Sequence, residues 1–454
     1  MVTAPGSNVR TLNMLRPGPP ALPLVGHLPW LQRDQLGFLL QCARQYGDIV
    51  PLKFGPRRVL LLNHPRDVET ILVGKHRSFH KGRFYRRLEP LLGTGLFTSE
   101  GSFWLRQRRL VQPAFHRERI AAYGSIMVQS TQQLLGVWSH GQRRDVQADM
   151  MGLTLSIVSK ALFGAEVTGE ARELGAALAV ALAQLDREIN GLALLVPPGW
   201  PTPGRRRLAR AVARLDRIVF GIIAGRRASG EDRPDLLSIL MNAQDDDGRR
   251  MTDRQLRDEA MTLVLAGHET TALALSWAWY LLATHPEVDQ RLHQELRSAL
   301  GERPPRVDDL SRLPYLQMVI KETLRLYPPA VEFGRETRER CEVGGYLLPA
   351  ATNVVVTPWV VQRDPRWFDQ PDRFWPERWA DDLAQRLPRF AYFPFGGGPR
   401  VCVGQSFALT EAALVLATMA QRYQVVLEPG TRIEAEPRLT LRLKHGLPML
   451  LRRR

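Results

Sequence analysis

Apolar residues recur at helical spacing over most of the chain, and period-two alternation is confined to a few short segments. The longest helical pattern runs from about Asp253 to His285 and is mostly apolar from Ala260 to Ala283. Thr252 stands at the N-cap position, Gln255 three residues on completes a capping box, and Pro286 follows the last turn. At roughly 1.5 Å per residue this helix spans about 50 Å, enough to cross a domain. Its apolar run is broken once, by His268-Glu269-Thr270-Thr271, and polar groups inside a buried helix are costly unless paired or used. A second helix is predicted over Leu313–Leu326, ending before Tyr327-Pro328-Pro329, and a last one from near Gly404 to about Tyr423. Asp48–Asn63 alternates around Gly55-Pro56 and predicts two short strands joined by a turn. Glu342–Thr357 is strand-like, whereas Val360–Arg389, rich in Trp, Asp, Pro and Arg, reads as irregular structure. The fold class is therefore mainly α with a small β region.

Composition sharpens this picture. A chain of 454 residues with 44% hydrophobic and 24% charged residues can bury a large core. The Pro-rich stretch Arg16–Pro23 lies near the start, and Val196–Arg205 is too short and apolar for a tether. Residues 1–454 thus read as a single domain with a short Pro-rich segment over about 1–30. No run reaches the roughly 18 apolar residues of a membrane span and no secretion signal opens the chain, so a cytoplasmic location is expected. The three cysteines, Cys42, Cys341 and Cys402, have no paired spacing, which argues against a disulfide framework or a zinc knuckle. A net charge of +16 raises the question of nucleic acid, but only six of the 62 basic residues are lysine and the arginines are spread evenly. No nucleic-acid footprint is expected; an acidic protein partner fits better.

The sharpest chemical signal is Phe395-Gly396-Gly397-Gly398-Pro399-Arg400-Val401-Cys402-Val403-Gly404. Glycines let backbone approach a flat partner closely, and a helix opening after a cysteine stabilises its thiolate. A lone cysteine beside glycines is ordinarily a buried structural residue; the spacing of Phe, Gly, Arg, Cys and Gly sets this one apart. The loop resembles the haem-binding signature F-x-x-G-x-R-x-C-x-G of the cytochrome P450 family, matched at every fixed position. With the motifs below, the resemblance covers most of the chain from Trp104 onward. It implies the P450 fold, with a long central helix over the haem, haem b (iron protoporphyrin IX) as cofactor, Cys402 as the iron ligand, and monooxygenase activity. An axial thiolate favours O–O cleavage.

The family's roles carry over residue by residue. Ala266-Gly267-His268-Glu269-Thr270-Thr271 resembles the oxygen-activation motif, which makes Thr270 the proton-delivery residue with Glu269 behind it; His268 is expected to make a structural hydrogen bond. Ala266, Phe395 and Gly404 are expected against the haem. Trp104 and Arg108 match W-x-x-x-R, and with Arg400 and Arg335 they are the expected propionate partners. Glu322 and Arg325 match E-x-x-R, and Pro376-Glu377-Arg378-Trp379 resembles its partner motif, implying a structural network of Glu322, Arg325 and Arg378. Where many relatives read H-R-D-P, this chain reads Gln362-Arg363-Asp364-Pro365; the histidine can make a propionate hydrogen bond and Gln362 can donate one too, so no loss of haem is expected.

Substrate contacts in the family come from the loop before Trp104, the segment between Arg187 and Arg210, the central helix and the strands after Tyr327. The matching residues are Phe84, Leu96, Phe97, Leu265, Ala266, Val331, Phe333 and Thr440, with Glu332 as a polar exception. An apolar lining implies a lipophilic substrate such as a fatty acid, terpenoid or steroid. Electrons are expected from a separate ferredoxin or flavodoxin with its reductase, attracted by Arg106, Arg109, Arg117 and Arg119, because no flavin or iron–sulfur motif follows the Cys402 helix. The protein is expected to be a monomer. Two alternatives stand beside this reading: a peroxide-driven peroxygenase or hydroperoxide-rearranging enzyme, against which Glu269-Thr270 argues, and a non-catalytic haem-binding protein.

Overall fold

The computed structural model describes residues 10–11, 18–164, 168–190, 200–231 and 233–454. The chain forms two compact units interleaved in sequence, one of Met1–Gly82 with Leu324–Cys402 and one of Arg83–Thr323 with Val403–Arg454.

The first unit is built on a five-stranded sheet. Its strands run in the order Ile49–Phe54, Arg57–Leu62, Asn353–Val356, Phe333–Thr337 and Phe79–His80. The opening hairpin is the one predicted, with Ile49 opposite Leu62 and Gly55 turning the chain at φ 60°. The alternation places Leu60, Leu62, Val354 and Val356 in one buried cluster with Phe79, Cys341, Phe390 and Phe393. Leu52 and Leu61 bury the opposite face against Leu39 and Cys42 of helix Leu28–Tyr46. The stretch predicted as irregular contains only single turns of helix, at Pro376–Trp379 and Leu383–Arg386. Its backbone bonds are those of scattered turns rather than a ladder, and the buried carbonyls left over must find donors. Arginines supply them. Arg325, fully buried, donates to the carbonyls of Gln362 (2.8 Å), Pro371 (2.6 Å) and Arg373 (3.1 Å), and Arg378 donates to Asp369 (2.7 Å) and Gln370 (3.2 Å).

The second unit is helical around Asp253–Thr284, a helix of 32 residues. Thr252 Oγ1 accepts from the Gln255 N–H at 3.3 Å while the Gln255 side chain accepts from the Thr252 N–H at 2.9 Å, the predicted capping box. The helix packs on Val146–Phe163, where Gly267 leaves a Cβ position only 3.1 Å from Val158. Helix Gln405–Ala420 is likewise largely buried. It ends before the predicted Tyr423, which instead opens a strand, Tyr423–Leu427; the Tyr-Gln-Val-Val-Leu run favours a pleated surface, and Tyr423 hydroxyl donates to Trp138 carbonyl at 2.8 Å. A hairpin of Ala435–Pro437 and Leu441–Leu443 lies against the central helix, with Trp277 Nε1 donating to Leu441 carbonyl at 3.0 Å. Among the described residues no helix is long and apolar enough to cross a membrane.

Removing the Thr252 cap tests this local account. Thr252→Ala is expected to cost about 1 kcal/mol, read as a lower urea midpoint with an unchanged slope; an unchanged midpoint would mean the cap contributes nothing.

Candidate functional site

In the first unit the cysteine loop needs its glycines for two reasons. Gly396 and Gly398 have φ of 70° and 66°, a region costly for residues with a Cβ. A Cβ on Gly397 would meet the Phe390 ring at 2.1 Å, and one on Gly398 would meet the Leu72 carbonyl oxygen at 1.9 Å. The loop closes on itself through Val401 N–H to Gly398 carbonyl (3.0 Å) and Cys402 N–H to Phe395 carbonyl (3.1 Å). Of the three cysteines, Cys402 is exposed while Cys42 and Cys341 are buried. Burial pushes the Cys42 thiol up to about 11 and raises that of Cys341, so neither is suited to ligate metal as a thiolate.

Phe395 and Arg400 are half-buried in this loop. Arg335 is half-buried on strand Phe333–Thr337, opposite Val354, with Nη1 on the Gly334 carbonyl at 2.8 Å. Phe333 supports the loop: its ring lies 6.0 Å from that of Phe393 and 3.3 Å from the Cβ position of Gly396. Val331 is buried and Glu332 exposed. Gln362 is engaged within the core. It is fully buried, its Nε2 donates to the carbonyls of Leu324 and Arg325, both at 3.0 Å, and its Oε1 accepts from Phe393 N–H at 2.9 Å. Both amide protons are used on backbone, so Gln362 braces the core and has none left for a propionate. Arg325 and Arg378 converge on the Arg373 carbonyl, and Glu322 is wholly buried on helix Pro314–Leu326.

In the second unit the central helix is buried without a break from Leu256 to Leu265, then changes. Ala266 is exposed, Gly267, His268 and Thr270 are half-buried, and burial resumes at Thr271. Thr270 Oγ1 donates back to Ala266 carbonyl at 2.5 Å, leaving its lone pairs to accept. Glu269 is buried and does not stand open beside it. Its Oε1 accepts from Thr440 Oγ1 (2.5 Å) and from Arg442 Nε and Nη2 (each 2.6 Å), while Oε2 has no partner. Thr440, expected against substrate, is thus buried on a carboxylate. At His268 it is the backbone carbonyl that has a structural contact, accepting from Thr154 Oγ1 at 2.9 Å; its buried Nδ1 has no partner, and burial holds its imidazole below the usual value.

Trp104 and Arg108 are half-buried one turn apart on helix Gly101–Val111; Arg108 Nε reaches Gln112 Oε1 at 3.4 Å. Leu96 is buried and Phe97 exposed, with the Tyr85 and Phe97 rings 5.5 Å apart. Leu265 is buried. Phe84 lies on helix Arg83–Arg86, but its side chain and residues 191–199 fall outside the described residues. Two arginines expected to face a redox partner are already engaged, Arg106 with Asp245 at 2.5 Å and Arg109 with Asp246 at 2.8 Å. Arg117 and Arg119 are exposed.

Three features escaped sequence reading. Arg442 gave no local signal. Glu411 is a single acid in an apolar helix; it is fully buried, with no partner on either oxygen and Thr271 as its polar neighbour, and burial pushes its carboxyl well above the usual range. The third, Arg257-Asp258-Glu259, reads as a helix N-terminus yet is buried.

Among the described residues no cluster of three or more His, Cys, Asp or Glu could hold a metal ion. The glycine loop, the exposed thiol and the guanidinium groups of Arg335 and Arg400 suit the expected haem, with a soft ligand for iron and forked donors for carboxylates.

The chain matches the family model described as Cytochrome P450 over residues 17–451. It is 41% identical to cyclooctatin synthase of Streptomyces melanosporofaciens, covering 93% of this chain and 92% of that one. It is 38% identical to cyclooctat-9-en-7-ol 5-monooxygenase of the same organism (91% and 90% covered), and 35% identical to pentalenene oxygenase of Streptomyces avermitilis (91% and 92%). Among solved structures it is similar to the haem domain of cytochrome P450DA, with a TM-score of 0.88 at 28% identity over 96% of this chain and 97% of that chain.

Gly398→Ala meets both a positive φ and the Leu72 carbonyl, whereas Gly55→Ala meets φ 60° with nothing nearer than 4.0 Å. Gly398→Ala is expected to cost well over about 1 kcal/mol and Gly55→Ala about 1 kcal/mol; equal midpoint shifts in urea would show that close packing at Gly398 is not a constraint.

Proposed function

The chain belongs to the cytochrome P450 family and is a monooxygenase, and from that premise we propose that it inserts one oxygen atom from O2 into a lipophilic cyclic terpenoid. The observation that carries the reading is Cys402, the exposed member of three cysteines, held on a loop that only glycines can form. The bound group, taken here as haem b, supplies the oxygen chemistry. Cys402 would ligate its iron and Arg335 and Arg400 would hold its propionates; Trp104 and Arg108 carry the family's motif for the same group. With its own proton held on the Ala266 carbonyl, Thr270 Oγ1 would accept a hydrogen bond from a water molecule at the site and so hold the proton that must be delivered. Glu269 would feed that site only when it turns from Arg442, so its contribution depends on the hairpin. Electrons would arrive from a ferredoxin or flavodoxin with its reductase, docking near the exposed Arg117 and Arg119. The terpenoid class rests on the names of the three bacterial relatives and on the apolar side chains of Leu96, Phe97, Leu265 and Val331.

Turnover of the reconstituted enzyme with a cyclic terpene under 18O2 is expected to place one labelled oxygen in the product. Thr270→Ala is expected to keep reductant consumption while product per reductant falls about tenfold or more and hydrogen peroxide rises, in line with the usual worth of a positioned proton donor. Unchanged coupling would remove Thr270 from proton delivery, and product lacking the label would overturn the monooxygenase assignment for that substrate.

A further inference from the structure

Three consecutive residues of the central helix reach three points of one loop. Arg257 Nη1 donates to Leu91 carbonyl at 2.8 Å, Asp258 Oδ2 accepts from Thr94 N–H at 2.9 Å, and Glu259 Oε2 accepts from Leu96 N–H at 3.0 Å. All three side chains are buried. The loop is shaped to admit them: Gly93 turns at φ 56° with its Cβ position 2.1 Å from the Asp258 carboxylate, and a Cβ on Gly95 would fall 2.3 Å from Thr262 Oγ1. Beyond the loop, Arg257 Nε is held by Asp216 at 2.6 Å and Glu259 Oε1 by Gln107 Nε2 at 2.9 Å.

We propose that Arg257, Asp258 and Glu259 clamp the loop Leu91–Thr98 and that ligand passage past Leu96 and Phe97 requires this clamp to open. The second half rests on the reading of the loop as part of the substrate wall. Arg257 and Asp258 are held mainly by each other, at 3.0 Å, and by Asp216. Glu259 is the member whose carboxyl burial raises. Burial, which outweighs the Leu96 and Gln107 hydrogen bonds, lifts its carboxyl from 4.5 to about 7, and Asp258 adds to the rise. The groups around it are Asp258 and Arg257 on its own helix, the Leu96 N–H, and Gln107 of helix Gly101–Val111, whose Oε1 is bonded by Arg106 at 3.2 Å. The value is raised, so the closed loop binds a proton that the hydrated, open loop releases. Closure is strongest below pH 4.5 and weakens as pH rises to 7. Between pH 6 and pH 8 the opening equilibrium is expected to rise about tenfold.

Amide exchange over residues 91–98 of the holoenzyme, corrected for intrinsic rates, reads the opening directly. Dissociation of clotrimazole, trapped by carbon monoxide in the reduced protein, reads its effect on passage. Both are expected to rise about tenfold from pH 6 to pH 8 and to become flat in Glu259→Gln. Gln107→Leu, which removes one bond that lowers the carboxyl, is expected to keep the slope and move its midpoint above 7. Exchange that is flat in the protein itself, still sloped in Glu259→Gln, or unmoved in midpoint in Gln107→Leu overturns the clamp. Exchange that follows pH while clotrimazole release does not overturns the role in passage. A protein that shows no azole spectrum at all contradicts the haem assignment instead, with the exchange data still deciding the clamp.

Discussion

A helix buried along most of its 32 residues can carry charge only where a partner comes to meet it. An unpaired ion in such a place costs several kcal/mol, so the buried charged residues of the central helix recruit distant segments. Arg257, Asp258 and Glu259 draw in the loop Leu91–Thr98, and Glu269 draws in the hairpin through Thr440 and Arg442. The segments expected to face a ligand are therefore placed by the electrostatic needs of the helix they cover. The break in burial at Ala266–Thr270 lies between these two points of attachment.

The same rule shapes the first unit in another form. Its irregular stretch has carbonyls without ladder partners, and Arg325 and Arg378 satisfy them from buried side chains, while Gln362 does the same for Leu324 and Arg325 at the end of helix Pro314–Leu326. The E-x-x-R motif is in this sense a substitute for secondary structure. Its guanidinium groups hold a fixed frame close in sequence to the loop that carries Cys402, and a metal ligand benefits from a frame that cannot drift.

What was legible in the chain was what is local. The capping box at Thr252, the hairpin at Gly55, the ends of Leu313–Leu326 and the glycine loop all follow from residues within a few positions of one another. What was not legible depends on distance. Thr440 and Arg442 meet Glu269 across 171 and 173 positions, and no periodicity announces that pairing. Arg106 and Arg109 read as a basic surface because their partners Asp245 and Asp246 lie far along the chain. Gln362 was read by the role of the histidine that stands there in relatives, but an amide can serve two carbonyls and one N–H at once, and the backbone claimed it.

The central claim is that Cys402 presents a thiolate to haem iron. It is tested most directly by the absorption spectrum of the reduced protein with carbon monoxide, before and after Cys402→His. The account predicts a strongly red-shifted Soret band in the unaltered protein and its loss in the variant. An ordinary haem-protein band in the unaltered protein, or a red-shifted band that survives the substitution, would contradict it.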